Sequence, residues 1–464
     1  MHNKNYISVG IDVGSAFSFM TILAPDETVI LKPFKITHNN KDSLERAVSE
    51  IKKAEELYSL ESRTFLESTG IYHFPLFCYL VDCGFNASII NPIITHSTKN
   101  GNIRKVKNDK IDSKGIAKLG LSKDIPVSQF PAKLVLELRS LTRKYYDLTD
   151  ERSAHINKLK GDLHTVFPQY LDVFCDVTGK TSTMILRQYG TPDKILRGHK
   201  KTMIEKISKA SRKGLAKASE RYEKLCAAAN AAKTFGCQID SIYFNIFLTL
   251  DLVEKLDSAL DSILNRIRQL ITFNKNEKFI QQIKLLNTIP GVGFLTAVTI
   301  MCEIGDFSAF RNPKQLFAYF GLDPEVNESG KFVGTQLHMS KRGSRIARRA
   351  IFAVALASIR TKRNGEGINP YLRKYYELKS GQKPKMVAIG AVMHKVCNIV
   401  FAVLRDEKAF ELRSPEEHCK QYQTGFYIAL YLPFPLKTLP VLLHYPIHVL
   451  HNLPVYTPYT VHQS

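Results

Sequence analysis

The sequence contains no CxxC pair among its eight cysteines (Cys78, Cys83, Cys175, Cys226, Cys237, Cys302, Cys397 and Cys419) and has too few acids to balance its bases. Cysteines this sparse cannot staple a long chain, which fits a reducing compartment. No unbroken run of about 18 apolar residues offers a membrane span. The opening MHNKNYISVGIDVG lacks an apolar leader, so neither a signal nor a transit peptide is expected. Lys and Arg number 65 against 43 Asp and Glu, giving a formal charge of +22 over 464 residues. A chain of this length predicts about three domains. Its charge predicts nucleic acid as the partner and a cytoplasmic, nucleoid-associated location, with no membrane.

Three β-branched and aromatic runs, 6–13, 16–24 and 28–35, read as consecutive strands. A helix over 41–58, a strand over 63–68, a helix near 74–83 and a strand over 87–92 follow. This is an α/β pattern of order βββαβαβα, the chain order of the ribonuclease-H-like fold. From 132 to 272 the period turns helical. Leu134, Leu138, Leu141, Tyr145 and Leu148 form one heptad seam, and Ile242 through Leu270 form a longer one. They can pair within one chain as an antiparallel hairpin, join two chains, or simply face a core. Between them, 177–224 is basic and helix-rich. At Pro290-Gly291-Val292-Gly293 a Gly-rich turn precedes an apolar helix, a helix–hairpin–helix pattern whose Gly291 and Gly293 would let backbone N–H groups approach a DNA phosphate. The expected units are an α/β domain over 1–128, a helical coiled-coil region over 129–280, a mainly α domain over 281–410 and a tail over 411–464. The stretch 421–464, with six prolines and no acid, has no evident role.

Four carboxylates stand out by position. Asp12 closes the first strand, Glu67 closes the fourth, and Asp109 and Asp112 lie three apart at a helix start. Converging at a sheet edge they would repel unless cations neutralised them, and Mg²⁺, two per site, is the natural choice for hard oxygen ligands facing phosphate. Lys105, Lys107, Lys110 and Lys114 around them would draw in a phosphate chain. The first hairpin, IDVGSAFSFMTIL, also looks like the phosphate-binding hairpin of actin-like ATPases. The later motifs those enzymes need are missing.

The motifs IDVGS, ESTGIY, IINP, KNDKIDSKGIA, LLNTIPGVGFLTA, QLFAYFGLDPEVNESGK and MSKRGSRIARRAI, in this order over about 6–410, resemble the DEDD transposases of insertion sequence family 110. These are bridge-RNA-guided recombinases related to pilin-gene invertases. The resemblance implies a RuvC-like domain holding Asp12, Glu67, Asp109 and Asp112, a coiled-coil dimerisation segment, and a C-terminal domain with a nucleophilic serine. That serine matches Ser329. It further implies DNA ends and target as substrates, a non-coding bridge RNA as guide, and a homodimer that becomes a tetramer on synapsed DNA. In MSKRGSRIARRAI, Lys341, Arg342, Arg345, Arg348 and Arg349 are expected on phosphates. The 177–224 insert departs from compact relatives, so no RNA contact is assigned there. Two alternatives stand beside this: a metal-only nuclease like a Holliday-junction resolvase, and an inactive nucleic-acid-binding remnant.

The charge is localised. Residues 99–124 hold eight Lys or Arg against three acids, 177–224 thirteen against four, and 340–365 eight against none, leaving the remainder balanced.

Overall fold

A meander of three antiparallel strands opens the fold: β1 (Ile7–Val13), β2 (Phe17–Leu23) and β3 (Val29–Thr37). The computed structural model describes residues 5–67, 72–90, 109–122, 125, 133–325, 328–329, 332–333, 338–414 and 416–417. Lys105, Lys107 and the stretch from 418 to 464 lie outside the described residues, as do the last two residues of the expected strand over 87–92. After β3 come α1 (Lys41–Tyr58), β4 (Ser62–Glu67), α2 (His73–Asp82), β5 (Asn86–Ile90) and α3 (Asp109–Ser122). The sheet order is β3-β2-β1-β4-β5, with β4 parallel to β1 and β5 parallel to β4. The expected order of strands and helices is thus present.

The central strand β1 is covered on both faces, with apolar Ile7, Val9, Ile11 and Val13 alternating with Ser8, Gly10 and Asp12 along it. On one face Ile7, Val9, Ile11 and Val13 pack with Ile51 of α1 and Phe77 and Leu80 of α2. On the other face α3 presses against the sheet: Ile116 and Leu119 meet Phe65 and Ile90. Gly10 makes this contact possible. A Cβ there would lie 2.3 Å from the Ala117 backbone nitrogen, closer than any side chain tolerates. The Ser8 hydroxyl donates to the Ala117 carbonyl at 2.7 Å, and Thr21 Oγ1 lies 2.8 Å from Ser113 Oγ.

The two helical seams pair with each other inside one chain. They form α4 (Lys133–Val166), and after the insert α10 (Asp240–Phe273). Leu138 shares a core with Ile267 and Leu270, Arg152 bonds Asp257, and Tyr243 donates to the Val166 carbonyl, so the helices run antiparallel along their full length. At one end sits the insert, α5 (Tyr170–Val173), α6 (Lys180–Gln188), α7 (Pro192–Arg197), α8 (Lys200–Ser211) and α9 (Leu215–Thr234). Its core of Ile185, Met203, Leu225 and Ala229 closes over Leu159, Leu163 and Ile246 of the hairpin. At the other end lie α11 (Lys278–Leu286), α12 (Phe294–Ile304), α13 (Pro313–Tyr319), a short hairpin of β6 (Glu328–Ser329) and β7 (Phe332–Val333), α14 (Arg345–Ser358), α15 (Pro370–Ser380) and α16 (Lys385–Asp406). By length and apolar composition α16 could cross a membrane. Here its Val392, Val396, Val400 and Leu404 fill the C-terminal core beside Val354 of α14, the ordinary place for such a helix.

One buried carboxylate ties this end together. Glu303, 3% exposed, accepts both Arg143 nitrogens of α4 at 2.8 and 2.9 Å and the Ser344 hydroxyl at 2.7 Å. Ser344 also caps α14 by accepting the Ala347 N–H. Burial pushes this carboxyl up, but the bonds from Arg143 and Ser344 more than offset it and hold it below the usual carboxylate range. A carboxyl depressed in the folded state adds stability above its ordinary pKa, and that stability is lost as the pH falls through the folded value. Glu303→Gln is therefore expected to cost about 2 kcal/mol at pH 7. Thermal melts of the two proteins should converge as the pH falls through the depressed folded-state value of Glu303.

Candidate active site

The register of the sheet sets the two strand-end acids side by side. Ile11 pairs with Leu66 across the parallel β1–β4 ladder, so one residue on Asp12 stands beside Glu67. Neighbouring strands are about 4.8 Å apart. Side chains alternate along a strand, so Asp12 shares the face of Ser8 and Gly10, and Glu67 shares that of Phe65. Both are the face that α3 covers. Glu67 is buried at 7% exposure and Asp12 is half-buried.

Helix α3 runs against β1, with Ser113 over Gly10 and Ala117 over Gly10 and Ser8. One turn before Ser113 the helix opens at Asp109, about 6 Å further along its axis. Two residues beyond Gly10, Asp12 lies about 6.6 Å further along the strand in the same direction. The start of α3 thus arrives at the level of Asp12 and Glu67. Asp112, next to Ser113, is half-buried; of Asp109 the backbone alone is described. Among the described side chains, which do not include that of Asp109, no three His, Cys, Asp or Glu residues gather into a ready-made metal cage. The all-carboxylate set at this edge nonetheless has the chemistry a hard divalent ion requires. Lys110 and Lys114 are exposed on α3.

The same transverse row continues through residues that composition alone would not single out. Asp12 pairs with Phe19 on β2, and Phe19 pairs with Lys35 on β3. Only the meander's register brings them beside the acids.

Ser329 lies on the short β6–β7 hairpin, between α13 and α14 in the chain. Ser329 pairs with Phe332 across β6 and β7. The base of the excursion is latched: Ser340 Oγ donates to Asp323 at 2.6 Å, the Ser340 N–H donates to the Asp323 carbonyl, and Glu325 donates to the His338 carbonyl at 2.7 Å. Below the latch two glycines press backbone to backbone. A Cβ on Gly343 would lie 2.0 Å from the Tyr319 carbonyl oxygen, and one on Gly321 would lie 2.4 Å from the Gly343 nitrogen. The motifs GLDP and KRGS, which lie before and after the hairpin in the chain, therefore meet directly.

Two basic residues proposed for phosphate contact have other work. The Arg348 guanidinium donates to the carbonyls of Phe320, Lys341 and Gly343 at 3.2, 3.1 and 2.7 Å, which fixes the turn rather than facing a ligand. Arg349 pairs with Asp150 of α4 at 2.7 Å and lies over the Tyr146 ring, 4.8 Å from its centroid. Lys341, Arg342 and Arg345 are exposed. The PGVG turn does join two helices, α11 and α12. Gly291, however, is required by close packing: its φ is +96° and a Cβ would lie 2.4 Å from Ser358 Oγ. Gly293, at the start of α12, has open space around it.

Residues 9–168 match a family profile for the DEDD transposase of IS110, and residues 283–377 match a second profile, for the IS116/IS110/IS902 family of transposases. The chain is 23% identical over 286 residues to an uncharacterized 43.6 kDa protein of insertion element IS110 from Streptomyces coelicolor, covering 61% of this chain and 66% of the relative. It is 30% identical over 177 residues to the pilin gene-inverting protein of Moraxella bovis, covering 38% and 52%. It is 24% identical over 311 residues to an uncharacterized 44.8 kDa protein of insertion element IS116 from Streptomyces clavuligerus, covering 67% and 74%. The chain thus spans from about half to about three quarters of the length of these relatives. The first profile covers Asp12, Glu67, Asp109 and Asp112, and the second covers Gly291 and Ser329.

Proposed function

From a chain that belongs to the IS110/IS116 family of transposases, we propose a DNA recombinase that cuts and rejoins the ends of an insertion sequence and its target. The observation that carries this reading is the row of Asp12 and Glu67 meeting the start of α3, inside the matched residues. The sheet order supports placing this domain among ribonuclease-H-like, RuvC-like nucleases. Asp12, Glu67, Asp109 and Asp112 would hold Mg²⁺, two ions per site, which when bound neutralises phosphate charge and stabilises the leaving oxygen.

The acids fix where the scissile phosphate sits, and the lysines of α3 guide the backbone towards it. Ser329 attacks from the C-terminal hairpin. Its Oγ forms a bond to phosphorus while the bond to the leaving sugar oxygen breaks; the serine proton is lost and the leaving oxygen gains one. The ester conserves the energy of the broken bond, so the reverse attack by a new sugar hydroxyl rejoins DNA without ATP. The sheet domain and the hairpin domain have separate cores, which suits a composite site assembled from two subunits of a dimer, or of a tetramer on synapsed DNA. A bridge RNA would supply target choice by base pairing and leave the protein to read backbone and helix shape.

The test is a supercoiled plasmid carrying the element ends and insertion site, with Mg²⁺ and RNA transcribed from the element's non-coding flank. Joined products should depend on that RNA. Joined products formed equally well without it would remove the guide, and cutting without joining or adduct would favour a hydrolytic nuclease.

A further inference from the structure

Beside the acids, on the same face of the sheet, the register assembles a second group. Phe19 stands directly opposite Asp12, and Lys35 directly opposite Phe19. Phe17, two residues before Phe19, shares this face. It is 36% exposed, so its ring is within reach of a ligand. Its ring meets that of Phe19 edge-on, with centroids 5.8 Å apart, and the Lys35 ammonium lies 4.2 Å from its centroid. The Lys110 ammonium, from the first turn of α3, lies 5.8 Å from the centre of Phe19. The row across β4, β1, β2 and β3 therefore reads acid, acid, aromatic, cation, with a second aromatic and a second cation beside it.

We infer that Phe17 and Phe19, flanked by Lys35 and Lys110, form a stacking platform for an unpaired nucleotide of the DNA strand next to the scissile phosphate. The chemistry of the group selects this occupant. A base inside a duplex has both faces covered by its neighbours, whereas a base taken out of the stack offers a face to an aromatic ring. Two ammonium groups on either side suit the phosphates that bracket one nucleotide, and acids alone would repel them. The platform lies one strand spacing from Asp12, so a base held there places its own phosphate at the carboxylates. This inference rests on the recombinase reading for the identity of the strand, and it adds a feature that reading does not contain: a protein surface that holds one unstacked base beside the cut.

The full-length protein, together with RNA transcribed from the element's non-coding flank, is bound, in EDTA so that nothing is cut, to duplexes carrying 5-iodouracil at successive positions across the element end. Irradiation should give a crosslink to Phe17 at one or two adjacent positions. Phe17→Ala should lower that crosslink at least about tenfold and slow cleavage in Mg²⁺ by about 10- to 100-fold, the range that loss of one base stack produces. Phe17→Tyr should restore both, and Lys35→Glu should weaken both. Because the crosslink needs no chemistry, the two readings fail separately. A Phe17-dependent crosslink on DNA that Mg²⁺ never causes to be cut would overturn the recombinase and leave the platform. Cleavage by a protein that gives no crosslink at any position, or whose Phe17→Ala variant cuts at the wild-type rate, would overturn the platform.

Discussion

Ser329→Ala is expected to reduce covalent protein–DNA adducts to less than about one thousandth of the wild-type yield, because the proposed mechanism makes the Ser329 hydroxyl the attacking group and alanine offers no substitute. Binding of DNA and RNA should be retained. The exposed cations Lys341, Arg342 and Arg345 lie outside the hairpin that carries the serine. The hairpin's base, held by Asp323, Ser340 and the contact of Gly321 with Gly343, does not involve residue 329. The measurement is denaturing electrophoresis of labelled element ends after incubation with Mg²⁺ and the element's RNA. Adducts that survive the change would sink the serine mechanism. Cleaved DNA without adducts, equal in both proteins, would assign the carboxylates to activating water instead.

Asp12→Asn should be as severe on a different readout. The amide keeps the shape of the side chain and the ladder on which β1 pairs with β4, yet removes the charge that would hold a divalent ion in the proposed site. Strand cleavage is expected to fall by about a thousandfold or more, with a melting temperature within about 2 °C of wild type. Asp112→Asn should lose Mg²⁺-dependent cleavage in the same way, and undiminished cutting would remove that residue from the metal site. Titration of Mg²⁺ against cleavage rate separates a weakened site, which excess metal rescues, from a lost one.

How far a sequence reveals such a site depends on the range of the interactions that build it. The neighbouring placement of Asp12 and Glu67 was legible because the apolar parity of β1 and β4 fixes their register: a slip of one residue would turn every core side chain outwards. The seams of α4 and α10 were legible as seams, since period 3.5 declares a partner, but not which partner; Arg152 with Asp257 and Tyr243 with Val166 decide it. The role of Glu303 was hidden because Arg143 lies 160 residues away and nothing local signals the pair. Gly291 and Arg348 have intramolecular roles that local pattern did not reveal, for the opposite reason. A glycine before a helix and an arginine on a basic helix look the same whether they meet a phosphate, a Ser358 hydroxyl or a ring of backbone carbonyls. Local pattern gives the residue type a position needs, and tertiary contact decides what the residue is for.

The paired helices α4 and α10 also act as a measuring rod. Thirty-four residues of helix extend about 51 Å at 1.5 Å per residue. The basic insert is fastened to one end and the domain that carries Ser329 to the other. At 3.4 Å per base pair that span equals about 15 base pairs of straight duplex, roughly one and a half turns. Any nucleic acid held by the cations of the insert would thus lie at a fixed remove from the domain that carries Ser329, and lengthening the rod by one heptad would shift that distance by about 10 Å, or about three base pairs.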